Sequence, residues 1–231
     1  MNRVSNIFVG LVFSLLLVLA LPVQAKGEAS GEVSDLYVSV VDAKIDQSFI
    51  SSLLAAAGHG RLYQIKPGSS KAAFSVQGPL GRVNAEFKHL KGGVALPDAK
   101  AGTASTLIIL DVNSLESDSV FADSLLKSKQ LLDAKLHPEI TFVGNKVEWI
   151  SSTRVVLKGK LTMHGVTRPV AFYVDFSEPR NVAFLHNIIH IKATTTISRA
   201  QFGLNALSPE VDDKVNLTVQ AEAERYFIDP L

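Results

Sequence analysis

From Leu62 onward a two-residue period of apolar side chains dominates the sequence. That period limits what the chain can build. Residues 153–163 place Val155, Leu157, Leu161 and Met163 on one face, with Arg154, Lys158, Lys160 and Thr162 on the other. Val156 is the exception. Residues 214–225 repeat the pattern: Val215, Leu217, Val219, Ala221 and Ala223 alternate with Lys, Asn, Thr, Gln and Glu. Residues 170–176 align Val170, Phe172, Val174 and Phe176. Successive strand side chains point to opposite faces, so these segments predict half-buried antiparallel strands. Residues 182–197 form a long β-prone run, and 71–77, 81–90, 104–112 and 139–149 are shorter candidates. Turn signals separate them at Pro67-Gly68, Gly78-Pro79, Gly92-Gly93, Ser151-Ser152 and Glu178-Pro179. About eight strands result. Strands with one apolar face close into a barrel or pack as a sandwich, and the pattern alone leaves both open.

Two segments leave this period. Residues 118–133 place Val120, Phe121, Leu125, Leu131 and Leu132 near helical spacing, with Ser117, Asp118 or Ser119 as cap. They predict a helix inserted between strands. Residues 36–57 turn helical in their second half, through Phe49, Leu53, Ala56 and Ala57, and Gly58 and Gly60 end the run. The plain reading is a helix packed on the main domain. It has too few basic residues for a membrane-surface helix. Residues 26–35 are a polar, flexible lead-in.

The N-terminus carries Arg3, an apolar run from Ile7 to Leu21, Pro22, and then Val23-Gln24-Ala25. This is the pattern of a signal peptide cleaved after Ala25. The run is shorter than the roughly 20 residues a membrane span needs. The expected product is exported, periplasmic or secreted. The organisation read from the sequence is an export segment (1–25), a partly helical extension (26–61) and a barrel (62–227).

Composition narrows the function. Arg3 is the one charge among the first 25 residues, which leaves 22 basic and 22 acidic side chains. A neutral body does not predict strong, salt-sensitive nucleic-acid binding. Cysteine is absent, which removes disulfides, thiolate catalysis, iron–sulfur clusters and a lipid-modified cysteine anchor. No Gly-rich phosphate loop, G-x-S-x-G elbow or HExxH occurs.

The histidines form no metal pattern. His186 and His190, four apart in the β-prone run, would lie about 13 Å apart on one face. His164 beside Gly165 reads as a tight turn, and His137 before Pro138 as a loop. His59 and His89 have no partner pattern. Trp149, the only tryptophan, reads as a barrel-mouth or core residue. The expectation is no catalytic residue, no metal and no enzyme.

Four runs carry a resemblance. LTMHGVTRPVAFYV (161–174) resembles the LT-h-HG-VT-[KR]-PV signature of the YceI-like family of periplasmic, lipocalin-like polyisoprenoid-binding proteins. FADSLLKSKQLLDAKLHPEITF (121–142) is similar to the family's helix followed by P-x-I-x-F. ISRAQFGL (197–204) resembles I-x-R-x-x-F-G, and YQIKPGSSKAAFSV (63–76) the opening strand. The departures are Ser69 where the family's first His precedes Ser70, Gln77 where a second His follows, and LLDA in place of an aromatic-rich stretch near residue 131.

The resemblance implies an all-β, lipocalin-like antiparallel barrel of about eight strands with an inserted helix. It would hold an isoprenoid lipid, a polyprenyl carrier or quinone tail, against inward Phe74, Val76, Phe87, Leu157, Leu161, Phe172, Val174, Phe176, Leu217 and Val219. Arg199 would be either a head-group contact or an ion pair with Asp212 or Asp213 bracing the barrel. Two other readings stay open. One is a non-catalytic stress or docking protein with a solid barrel, partnered by a membrane b-type cytochrome. The other is an enzyme acting on a lipid.

Overall fold

The computed structural model describes residues 47–79, 81–96 and 103–226. The segments expected to be an export signal (1–25) and a flexible lead-in (26–35) lie outside the described residues. Helix α1 (Gln47–Gly58) comes first, followed by strands β1 (Leu62–Ile65), β2 (Lys71–Gly78), β3 (Gly81–Phe87), β4 (Leu90–Ala95), β5 (Thr103–Asp111) and β6 (Leu115–Ser117). Helix α2 (Val120–Lys127) leads to β7 (Glu139–Trp149), β8 (Arg154–Met163) and β9 (Val166–Phe176). The short α3 (Arg180–Ala183), β10 (Ile188–Ser198) and β11 (Lys214–Arg225) complete the described elements.

The pairing register turns these strands into a closed tube. β2 pairs with β11 at Val76↔Val215 through Lys71↔Gln220, and β1 pairs with the same strand at Ile65↔Ala223 through Tyr63↔Arg225. β1 and β2 are therefore one stave, broken at residues 66–70. β3–β4 and β5–β6 are likewise broken staves: β4 pairs with β1 and β5, and β3 with β2 and β6. Each stave is antiparallel to the next in chain order, and β11 closes on β1 and β2. The result is an eight-stave up-and-down barrel. It has no free edge, which settles the barrel–sandwich ambiguity.

The breaks have local causes. Pro67 cannot donate to a ladder. Opposite the break, Ser70 Oγ accepts from Glu222 N (3.1 Å) and donates to Glu222 O (3.2 Å), replacing a missing ladder partner. Gly92-Gly93, expected as a turn, lies inside β4 instead. Gly92 has φ +150°, and a Cβ there would stand 2.0 Å from the Leu107 carbonyl oxygen. The glycines allow close approach of two staves rather than a reversal.

Two elements differ from expectation. The run 182–197 begins its strand only at Ile188, because α3 and a turn occupy residues 180–187. His186 thus sits in a connection, not on a strand with His190, and its Nδ1 lies 3.0 Å from Glu178 Oε2. The helix expected over 118–133 is α2 alone. Ser119 caps it, accepting from Ala122 N, and the chain turns after Ser128.

Helix α1 lies outside the barrel against β1, β4 and β5, with Ala56 and Ala57 buried. Leu107 and Ile109, on the outward face of β5, are fully buried. The two barrel ends differ. One carries the α2 connection, the 164–165 turn and the 199–213 connection. The other carries the 150–153 turn and α3.

Candidate functional site

The barrel interior is hollow, with a cavity of about 260 Å³ running along the staves. All ten residues expected to face inward line it: Phe74, Val76, Phe87, Leu157, Leu161, Phe172, Val174, Phe176, Leu217 and Val219. The period-two alternation explains why, since each comes from the apolar face of its strand. On β11 the lining runs from Val215 to Ala221, about 20 Å of strand rise. The void is therefore elongated. It exceeds the roughly 150 Å³ of an engineered cavity that stays dry and holds benzene. It lies just below the roughly 300–1,000 Å³ typical of ligand pockets.

The two ends are built differently. At the α3 end, Trp149 stacks on Phe176 (centroids 5.7 Å, interplanar angle 22°), and Phe184 meets both edge-on at 6.0 and 5.7 Å. The Arg180 guanidinium covers the Trp149 ring at 4.9 Å. Tyr63 Oη donates to His186 O, and Arg225 donates to the carbonyls of Gly60, Phe184 and His186. These bonds pin the α3 connection to the barrel wall. At the α2 end, Ala122, Leu125 and Leu126 face the cavity while no residue of the helix is buried. Val120 and Phe121 are exposed on its other side.

Arg199 also lines the cavity, but it serves as a brace. It is buried, and its Nε, Nη1 and Nη2 donate to the carbonyls of Asp212, Leu204, Ala206 and Val211. Four of the five guanidinium N–H groups are committed, which leaves little for a head group. The expected ion pair with Asp212 or Asp213 is replaced by backbone carbonyls. The Asp213 carboxylate takes a different role. The Ser198 hydroxyl and the Ala200 N–H donate to it, and its pKa lies below the usual carboxylate range, chiefly through the Ser198 bond.

The signature runs meet at the α2 end as structure. His164 (φ 52°) and Gly165 (φ 71°) form the two-residue hairpin between β8 and β9, with the paired positive φ of a type I′ turn. The His137 ring lies edge-on to His164, centroids 5.2 Å apart, and a Cβ on Gly165 would stand 2.8 Å from His137 Cε1. No cluster of three or more metal-ligating side chains occurs among the described residues.

Several lining residues escaped the sequence reading. Ile65, Thr106, Ile108 and Leu110 all face the void, beside Trp149 at the barrel mouth. The alternation Thr106-x-Ile108-x-Leu110 was the available signal. Thr106 reads as an outward polar residue until the barrel is closed.

Residues 63–223 match the YceI-like domain family. A UPF0312 protein of Pseudomonas putida is 30% identical over 122 residues, covering 53% of this chain and 64% of that protein. The match thus spans less than two thirds of that relative's length. A UPF0312 protein of Vibrio parahaemolyticus is 24% identical over 53% of this chain and 65% of its own. Among solved structures, Burkholderia cenocepacia BcnA superposes with a TM-score of 0.60 at 21% identity, covering 68% of this chain and 98% of that one. A polyisoprenoid binding domain from Saccharophagus degradans, implicated in plant cell wall breakdown, gives 0.55 at 14% identity, covering 71% and 98%.

Proposed function

The chain belongs to the YceI-like domain family, and on that premise we propose that it binds a long-chain isoprenoid lipid, a polyprenyl or an isoprenoid quinone, inside its barrel and carries it outside the cytoplasm. The observation that carries this reading is the elongated, almost wholly apolar cavity of about 260 Å³. Such a void is expensive. Left without an apolar occupant, its lining loses the contacts that close packing would give. An apolar chain recovers that loss at about 0.8 kcal/mol per buried methylene-sized group. It needs no directional contact along most of its length. The structural relative from Saccharophagus degradans, described as polyisoprenoid binding, supports the same ligand class.

The role is carriage rather than catalysis. It requires only the apolar lining, whereas lipid chemistry would need a converging acid and base. Export rests on the Arg3–Ala25 pattern in the sequence.

Trp149 lines the cavity and is the only tryptophan, so its fluorescence reports on occupancy. Protein purified from its native compartment should release an isoprenoid lipid into organic solvent, identifiable by mass spectrometry. Isoprenoid quinone added to the stripped protein should quench Trp149 saturably at one equivalent. Lipid-free native protein together with an unresponsive Trp149 would refute the carrier reading.

A further inference from the structure

Thr106 is 3% exposed, its Oγ1 has no hydrogen-bond partner, and it lines the cavity. It stands on β5 between Val94 of β4 and Gly144 of β7. Thr106 borders a bulge, where the β5–β7 register shifts between Thr103 and Thr106, and even there its hydroxyl finds no acceptor. A buried hydroxyl without a partner is costly, and Val would fill nearly the same space without that cost. The other polar residues along the lining differ. Thr218 falls between inward Leu217 and Val219, so its side chain points away, and Arg199 is committed to carbonyls.

We propose that Thr106 Oγ1 is the polar anchor of the cavity, hydrogen-bonding a neutral oxygen function, a hydroxyl or ring carbonyl, on the bound isoprenoid lipid. This rests on the carrier reading and adds the head-group chemistry and the ligand's direction to it. Neutrality follows from the lining. Arg199 is the one charged residue that lines the cavity among the described residues, and it belongs to the α2 end. A phosphate beside Thr106 would lose its water with no cation to receive it. Direction follows from the fold. β5 begins at the α3 end, where Trp149, Phe176 and Phe184 offer flat faces to a ring. The head thus lies toward that end, and the tail runs toward Leu125 and Leu126 of α2.

The test titrates stripped full-chain protein and its Thr106→Val and Thr106→Ser variants with three probes: squalene, geranylgeraniol and a short-tailed ubiquinone. Thr106→Val should weaken geranylgeraniol and ubiquinone about tenfold, the value of one buried hydrogen bond. It should leave squalene within twofold, and Thr106→Ser should restore the oxygenated probes. An equal shift for all three probes, or none, overturns the anchor while leaving the carrier reading intact. Failure of all three to bind the parent protein overturns both. A second reading needs no variant: infrared spectra of bound ubiquinone should show one carbonyl band displaced by hydrogen bonding. Two free carbonyls would overturn the proposal.

Discussion

At the ends of this barrel, single residues hold the connections rather than the ligand. Arg199 is the main case. One guanidinium gathers four carbonyls of the 199–213 connection, satisfying acceptors that the connection's irregular backbone would otherwise leave buried and unpaired. Arg199→Ala strands those acceptors and leaves a hole, so unfolding free energy should fall by about 3 kcal/mol or more. Arg199→Lys keeps the charge but cannot spread over four acceptors, and should recover only part of the loss. Urea denaturation midpoints would rank the three proteins. If Arg199 instead gripped the ligand, both variants would keep the parent midpoint when lipid-free and lose affinity only. Gly165 acts in the same way, since its bare Cα leaves room for the His137 ring.

At the scale of elements, the 199–213 connection is also sensitive to acid. Asp213 accepts from the Ser198 hydroxyl and the Ala200 N–H, and these bonds hold its pKa below the ordinary carboxylate value. A depressed folded-state pKa contributes stability that is complete above the unfolded value, about 4. That stability is lost as pH falls through the lower, folded value. Melting temperatures of the parent protein and Asp213→Asn should therefore differ at neutral pH and converge toward pH 3. A constant gap would remove Asp213 from the acid response.

Elements also show where the sequence was legible. β11 could be read to the residue because its alternation is long and follows the Asp212-Asp213 turn, and β7 because Pro138 and Ser151-Ser152 bound it. The first three staves were harder, because each breaks, at 66–70, 88–89 and 112–114, and the period restarts with a new phase. α3 was absorbed into a strand because Val182, Ala183 and Phe184 suit either state. The inward face was legible on the unbroken strands β8, β9 and β11, and was missed at Ile65, Ile108 and Leu110 on the broken staves. The Arg199 carbonyls were not legible, because the irregular backbone of the 199–213 connection that presents them follows no period, and the Thr106 hydroxyl was not, because its isolation depends on the neighbouring strands β4 and β7.

For the whole molecule, the decisive question is whether the hollow is filled by protein or by ligand. Ala193 gives a direct probe. It lines the cavity midway along β10, paired with Val174 of β9 and Val219 of β11. If the interior is an open tube, a phenyl ring grafted there enters empty space and gains contacts. Ala193→Phe should then raise the melting temperature of the lipid-free protein, by roughly 2–4 °C for each kcal/mol gained in a domain of this size. If the interior is already packed, the same ring overfills it and costs about 1–3 kcal/mol. The sign of the shift therefore distinguishes the two interiors. The binding result must agree with it: quinone quenching of Trp149 should be lost in the variant, since ring and prenyl chain compete for one void. A stabilised variant that still took up quinone with parental affinity would place the lipid elsewhere on the molecule. The barrel would then be a scaffold and not a container.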